Sequence, residues 1–172
     1  MRLGLLLVML LLAALLAGCS PGSVDIDIAE VRLTWTDSAT SHLAFYAFSL
    51  DSGGEVIAVL MLANPVEYPH EFTLPPEGWA RVAIAVEYLD GSEAATPRLR
   101  VRGYLEDDEV LDETYTGPII DAASPWWLAK FLRIDEEALD VRDYEGPTID
   151  EIEDLLGRAR AKGLTPGAWV EL

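Results

Sequence analysis

Apolar and polar residues alternate with a period of two through much of the chain, and this pattern limits the fold more than any other feature. In the segment 79–89, for example, Val82, Ile84 and Val86 would lie on one face of a strand. Gly, Pro and Asp residues separate this segment from others of the same kind. The pattern predicts about seven strands and an antiparallel β-sandwich over residues 24–117. The predicted strands are 24–35, 42–50, 55–63, 70–74, 79–89, 98–105 and 109–115.

The segment 118–172 has a different pattern, and we expect a helical extension there that packs on the sandwich. Ser124 is a suitable N-cap and Pro125 a suitable first-turn residue, so a first helix is predicted to begin at this point. The apolar residues that would share one face of this helix are Trp127, Leu128, Phe131 and Leu132.

A second helix is predicted where Thr148 and Glu151 have the spacing of a capping box. Its apolar stripe would consist of Ile149, Ile152, Leu155, Leu156 and Ala159. Gly163 is a suitable stop. The chain is therefore expected to be mainly β, with an antiparallel sandwich followed by two C-terminal helices.

The segment PHEFTLPPEGWARVAIAVEYLDG, residues 69–91, resembles the middle of transthyretin-like β-sandwich modules. In those modules a short strand ending in Leu-Pro leads through a turn into an alternating strand that Asp-Gly closes. The resemblance implies an immunoglobulin-like or transthyretin-like sandwich and a role in binding, bracing or presenting. No site residues of that family match this chain.

The amino-terminal segment has the composition of an export signal. Arg2 supplies a positive charge, and residues 3–18 carry no charge. This apolar run is close to the core of a signal peptide and shorter than the roughly 20 residues of a membrane-spanning helix. We therefore expect residues 1–18 to be a signal peptide and residues 19–23 to be a short tether.

The sequence Leu16-Ala17-Gly18-Cys19 resembles the lipobox of bacterial lipoproteins. In that family a diacylglyceryl group is attached to the cysteine sulfur, and a peptidase cuts before the cysteine. The resemblance implies cleavage between Gly18 and Cys19 and attachment to the membrane through a lipid on Cys19. Because Ser20 rather than Asp follows, it also implies the outer membrane, facing the periplasm, in a Gram-negative source, and otherwise the extracellular face of the plasma membrane. An ordinary secretory signal with an incidental cysteine is the alternative.

The charge of the chain excludes some classes of partner. Asp and Glu number 30 against 12 Lys and Arg, which gives a net charge of -18. Such a chain repels the phosphates of nucleic acids and of anionic lipid headgroups. Nucleic acid is therefore not expected as a partner, and the lipid on Cys19 would hold the protein on the membrane without a basic surface.

No catalytic, metal-binding or cofactor-binding residues are predicted. The chain has two histidines, His42 and His70, and its one cysteine is expected to be acylated, so a zinc site with several His or Cys ligands is not expected. The acidic clusters, such as Asp150 to Asp154, lack the spacing of an EF-hand, and we interpret them as solvated charge. No P-loop, HExxH, dinucleotide or nucleophile-elbow motif is present.

Three arginines alternate with apolar residues and would form a basic stripe, next to a tyrosine, on one face of a strand. The members of this arginine stripe are Arg98, Arg100, Arg102 and Tyr104. Such a stripe could hold an anionic ligand or the acidic strand of a partner. The alternative is that the arginines pair across the hairpin with Asp112 or Glu113.

Trp126 and Trp127 are adjacent, so on a helix the two rings can hardly face the same core. One ring would then be partly exposed, at an interface with a partner or at the boundary of lipid headgroups. The alternative is a helix that is covered on two sides, which would bury both rings.

These features favour a membrane-anchored lipoprotein of the cell envelope that acts as a binding or structural module and is not an enzyme. Its partners would be the membrane, through the lipid on Cys19, and an envelope protein. Two other functions stay open, a subunit of a larger envelope assembly and a lipid-anchored hydrolase. An exposed apolar patch near Trp126 would favour the first, and a cleft with convergent His and carboxylate side chains would favour the second.

Overall fold

The structure is a computed structural model. It describes residues 30–36, 42–63, 70–74, 81–90, 93–105, 108–134 and 139–172. The predicted signal peptide and tether, with Gly18 and Cys19, lie outside the described residues.

The described residues form ten strands and one helix. The strands are β1 (Glu30–Thr36), β2 (His42–Leu50), β3 (Val56–Ala63), β4 (His70–Leu74), β5 (Arg81–Asp90), β6 (Arg98–Leu105), β7 (Asp108–Thr116), β8 (Trp126–Ile134), β9 (Leu139–Arg142) and β10 (Trp169–Glu171). Helix α1 (Ile149–Ala161) lies between β9 and β10 in the chain. A four-stranded sheet has the order β4-β1-β6-β7, and a six-stranded sheet has the order β10-β3-β2-β5-β8-β9. Because these strands pair antiparallel throughout, the expectation of a mainly β protein with antiparallel sheets is confirmed.

The six-stranded sheet is buried on both faces. On β5, Val82 and Ile84 belong to one apolar cluster, whereas Ala83 between them belongs to a second. The first cluster also contains Leu99 and Val101 of β6, so the two sheets share it, and we call it the inter-sheet cluster. The second contains the apolar face of α1 and is called the helix-side cluster. Burial on both faces explains why β3 and β5 are apolar along nearly their whole length.

Helix α1 begins at the predicted residue. The Thr148 side chain accepts a hydrogen bond from the N–H of Glu151, and the Glu151 carboxylate accepts one from the N–H of Thr148 at 2.7 Å. This reciprocal pair confirms the capping box. The buried residues that join α1 to the sheet are Ile152, Leu155, Leu156 and Ala159. Ile149, predicted to belong to the same stripe, is 39% exposed.

The first of the two predicted helices is wrong, because residues 126–134 form strand β8. Strand β8 pairs with β5 on one side and β9 on the other. Without β8, one edge of β5 would leave its backbone hydrogen-bonding groups unpaired in the middle of the sheet. Strands β8, β9 and β10, which all follow residue 117, lie in the same sheet as β2, β3 and β5.

A β-bulge explains why β8 resembles a helix in sequence. Two consecutive residues of β5 lie opposite Lys130 and Leu128, so Ala129 is an extra residue without a partner in the register. The extra residue places Leu128 and Phe131 on the same face of the sheet, although they are three positions apart. A spacing of three is typical of a helical face, and a strand without a bulge would have shown a spacing of two.

The ends of the two sheets are short or acidic. Strands β9 and β10 end the six-stranded sheet and are four and three residues long. Strand β7 ends the four-stranded sheet and is nine residues long. Its carboxylates are Asp108, Glu109, Asp112 and Glu113.

Candidate functional site

The arginine stripe lies on β6, on the face of the four-stranded sheet opposite the inter-sheet cluster. The alternating apolar residues of β6 are fully buried, whereas Arg98 and Arg100 are exposed. Arg102 and Tyr104 are half-buried, and the guanidinium of Arg102 lies 5.9 Å from the centre of the Tyr104 ring. The predicted alternation of β6 is therefore confirmed.

Arg100 pairs across the hairpin with β7. Its Nε donates a hydrogen bond to Oδ1 of Asp112 at 2.6 Å, and its Nη2 donates to Oδ2 of the same carboxylate. Glu113, the other predicted partner, accepts a hydrogen bond from the hydroxyl of Tyr115. The structure thus places Arg100 in the cross-strand pair that was the alternative to a ligand site.

Replacing Arg100 with glutamine is expected to raise the pKa of Asp112. The Arg100 guanidinium donates hydrogen bonds to the carboxylate and holds its pKa below the ordinary value for Asp. Because the folded-state pKa is lowered, the pair stabilises the fold above the unfolded-state pKa of about 4, and this contribution is lost as the pH falls through the folded-state pKa. A carboxyl NMR titration of the native protein and the variant measures the change. Arg98→Gln is the control, and an unchanged Asp112 pKa in Arg100→Gln would contradict the pairing.

Trp126 and Trp127 lie at the start of β8, so their side chains point to opposite faces of the six-stranded sheet. Trp127 packs against the inter-sheet cluster. Trp126 packs against the helix-side cluster, where its ring centre lies 6.0 Å from that of Tyr46. Both residues are half-buried. The two rings therefore do not form one aromatic patch, and the interface hypothesis applies to each ring separately.

A groove of about 1020 Å³ lies between the N-terminal half of α1 and the β2–β3 hairpin, and we call it the helix groove. Apolar side chains of both sheet and helix form its floor. Leu50, Phe131 and Leu155 are buried, Val56 is half-buried, and Ile57 is 46% exposed. The helix groove therefore offers apolar surface that water still reaches.

Charged side chains form the rim of the helix groove, and most of them are acidic. The carboxylates are Glu55, Glu145, Asp150, Glu151 and Asp154, and the guanidinium groups are Arg81 and Arg158. Arg81 is already engaged, because its Nη1 donates a hydrogen bond to the carbonyl oxygen of Ser52 at 3.0 Å. The backbone N–H and the hydroxyl of Thr148 donate to Glu151 and lower its pKa, so this carboxylate is ionised at neutral pH.

Hydrogen bonds hold both walls of the helix groove in place. In the hairpin turn, Oδ1 of Asp51 accepts from the N–H of Gly53 at 2.8 Å and from that of Glu55 at 2.9 Å. On the helix side, the hydroxyl of Tyr144 donates to the carbonyl oxygen of Pro147 at 2.8 Å. Burial raises the pKa of Tyr144, so the hydroxyl keeps its proton and remains a donor through the neutral range. Hydrogen bonds within the protein therefore fix the backbone on both sides of the groove.

The sequence did not reveal the helix groove. Asp150 and Asp154 belong to no local sequence motif. On an isolated helix they would be solvent-exposed charges, which is the interpretation that the sequence favours. They line the same groove as Ile57 because α1 packs against the sheet, which is a long-range contact. No signal in the sequence distinguishes Ile57, because it lies within the continuous apolar run 56–63.

Comparison with protein-family models, curated proteins and solved structures finds no match to this chain. Among the described residues, no three His, Cys, Asp or Glu side chains lie close enough together to hold a metal ion. The part of the chain that the structure describes also has no helix with the length and apolar character needed to cross a membrane. What the helix groove can bind follows from the chemistry of its floor and rim.

Proposed function

We propose that the protein is a membrane-anchored lipoprotein of the cell envelope that acts as a binding module. The observation that carries this proposal is the sequence Leu16-Ala17-Gly18-Cys19 at the end of an uncharged apolar run. Its resemblance to a lipobox supports attachment through a lipid on Cys19. Each buried methylene contributes about 0.8 kcal/mol, so two or three acyl chains anchor a protein stably where one chain binds only marginally.

The binding role is supported by the helix groove. A concave surface that combines apolar side chains with charged groups at its opening is suited to binding a ligand. The finer fold assignment belongs to the same proposal, namely two sheets packed as an immunoglobulin-like or transthyretin-like sandwich. The apolar cluster shared by both sheets supports that arrangement.

Replacing Cys19 with alanine tests the anchor. The native protein is expected in the membrane fraction, and mass spectrometry of its N-terminal peptide is expected to find a diacylglyceryl group on Cys19. The Cys19→Ala chain has no sulfur to acylate, so it is expected to take up no labelled fatty acid and to keep the residues before position 19. Ser20→Ala is the matched control and should be lipidated and cleaved like the native chain.

Two results would overturn the proposed anchor. The first is a free Cys19 thiol on protein recovered from native membranes. The second is a Cys19→Ala chain that is cleaved at the same bond and stays bound to the membrane as firmly as the native protein. Either result would leave residues 1–18 as a signal that does not lead to lipid attachment at Cys19.

A further inference from the structure

We infer that the helix groove binds a basic, amphipathic segment of a partner protein, one in which Lys or Arg residues flank a row of apolar side chains. This inference deepens the proposed binding role and rests on it, but it does not depend on the lipid anchor. It names both the site and the chemistry of the partner. Three features of the groove support it: the apolar floor, the sign of the rim charge, and the charge of the chain's own segments.

The floor of the helix groove can accept apolar side chains. Ile57 is 46% exposed, and Leu50, Phe131 and Leu155 line the same groove with little exposure. Covering the exposed part of Ile57 and the half-buried Val56 would remove apolar surface from water, which favours association by roughly 25 cal/mol for each Å². Because the buried residues are already packed against their neighbours, apolar side chains of a partner would pack on the groove floor without rearranging it.

The rim of the helix groove favours a cationic partner. Five carboxylates and two guanidinium groups line the opening, and one of the two guanidiniums donates to a backbone carbonyl of the hairpin. Asp150 and Asp154 lie four positions apart on α1, where like charges repel each other. A lysine or arginine placed between them would relieve that repulsion. The net charge of -18 would also attract a basic segment from a distance and speed its association.

The chain's own segments are poor occupants of the helix groove. Residues 20–29, which lie outside the described residues, carry Asp25 and Asp27 and no Lys or Arg. A second copy of the chain has the same net charge and is repelled as a whole, although the end of its helix carries Arg158, Arg160 and Lys162. We therefore assign the groove to a different protein, and self-association is an outcome that the experiment must detect.

The test uses two fluorescent peptides of about 14 residues with the same Leu and Lys composition. One has leucines at helical spacing and the other has leucines at alternating positions, so the pair covers both conformations of a bound segment. Binding to the full chain in neutral detergent is measured by fluorescence anisotropy. At least one peptide is expected to bind, and its affinity is expected to fall as the salt concentration rises from about 0.05 M to about 0.5 M. Versions with Glu in place of Lys are expected not to bind.

Matched variants locate the binding. Asp150→Asn with Asp154→Asn removes two rim charges and is expected to weaken binding about five- to tenfold. The control, Asp108→Asn with Glu153→Gln, removes two charges outside the groove, one of them on the same helix, and is expected to bind like the native chain. Ile57→Ser is expected to weaken binding, whereas Ile119→Ser, at a residue that is 69% exposed and outside the groove, is not. Circular dichroism checks that each variant is folded.

Several results would overturn the inference. Binding of neither lysine peptide at about 100 μM would exclude this class of partner. An equal loss of affinity in the rim and control variants would show that the peptides respond to the net charge of the chain and not to the groove. Unchanged binding by Ile57→Ser would show that the peptides bind outside the groove. Concentration-dependent dimers in sedimentation that disappear in the rim variant would assign the groove to a second copy instead. None of these results affects the Cys19→Ala experiment, so the proposed anchor and the proposed binding to the groove can be rejected independently.

Discussion

Replacing Phe48 with alanine is expected to lower the free energy of unfolding by about 3–5 kcal/mol. Phe48 is fully buried in the helix-side cluster, beneath α1. It lies on β2, which pairs with β3 on one side and β5 on the other, so the backbone cannot move to close the cavity. Phe45 is equally buried on the opposite face of the same strand, and Phe45→Ala is expected to cost a similar amount.

Denaturation in guanidinium chloride, followed by circular dichroism, measures this prediction. Ile119→Ala is the control, because Ile119 is 69% exposed and its loss is expected to change the free energy of unfolding by less than about 0.5 kcal/mol. The two Phe variants together test whether the six-stranded sheet is a middle layer. If Phe48→Ala were as stable as Ile119→Ala while Phe45→Ala was strongly destabilised, α1 would not cover that face.

Gly146→Ala is expected to destabilise the protein by about 1–3 kcal/mol. Gly146 precedes the helix in the loop that forms one wall of the helix groove, and a Cβ on this residue would lie 2.6 Å from the Cβ of Ala83. Ala83 is fully buried on β5, between β2 and β8, and its Cβ is fixed by the backbone. The loop would have to move away from the sheet, because neither atom can turn aside.

Gly157→Ala is the matched control and is expected to have the opposite effect. Gly157 is an exposed residue inside α1, and a Cβ on it would meet no atom within 4 Å. Alanine there removes the poor helix propensity of glycine and is expected to stabilise the protein by about 0.5–1 kcal/mol. Thermal unfolding of both variants measures the difference. A stability of Gly146→Ala equal to or above that of the native protein would show that the loop does not pack on β5 as described.

Local patterns predicted most of the strands correctly. Strand β4 has the predicted bounds, and the hairpin of β6 and β7 forms where the sequence places it. The capping box of Thr148 and Glu151 was predicted for the same reason, since its two partners are three residues apart. Where a structure is determined by alternation, a turn or a cap, a short stretch of sequence contains all of the information that determines it.

The missed features depend on contacts between distant parts of the chain. The bulge at Ala129 changes the spacing of apolar residues in β8, and only the pairing of β8 with β5 shows that a bulge is there. Strands β9 and β10 are short, so their own sequences contain little periodic pattern. Their pairing with β8 and β3 determines that they form strands. The pairing of Arg100 with Asp112 was one of the two alternatives that the sequence offered, because both residues lie within one hairpin. The helix groove, in contrast, joins residues that are far apart in sequence.

The acidic edge of the four-stranded sheet has a consequence for how densely the protein can be crowded. Among the described residues no strand pairs with the outer edge of β7, and an open strand edge of nine residues is a template on which further chains can add and grow into fibrils. The carboxylates of β7 place negative charge along that strand, so an identical edge that approaches it is repelled. Copies of the protein can therefore reach a high local density without pairing through their β7 edges.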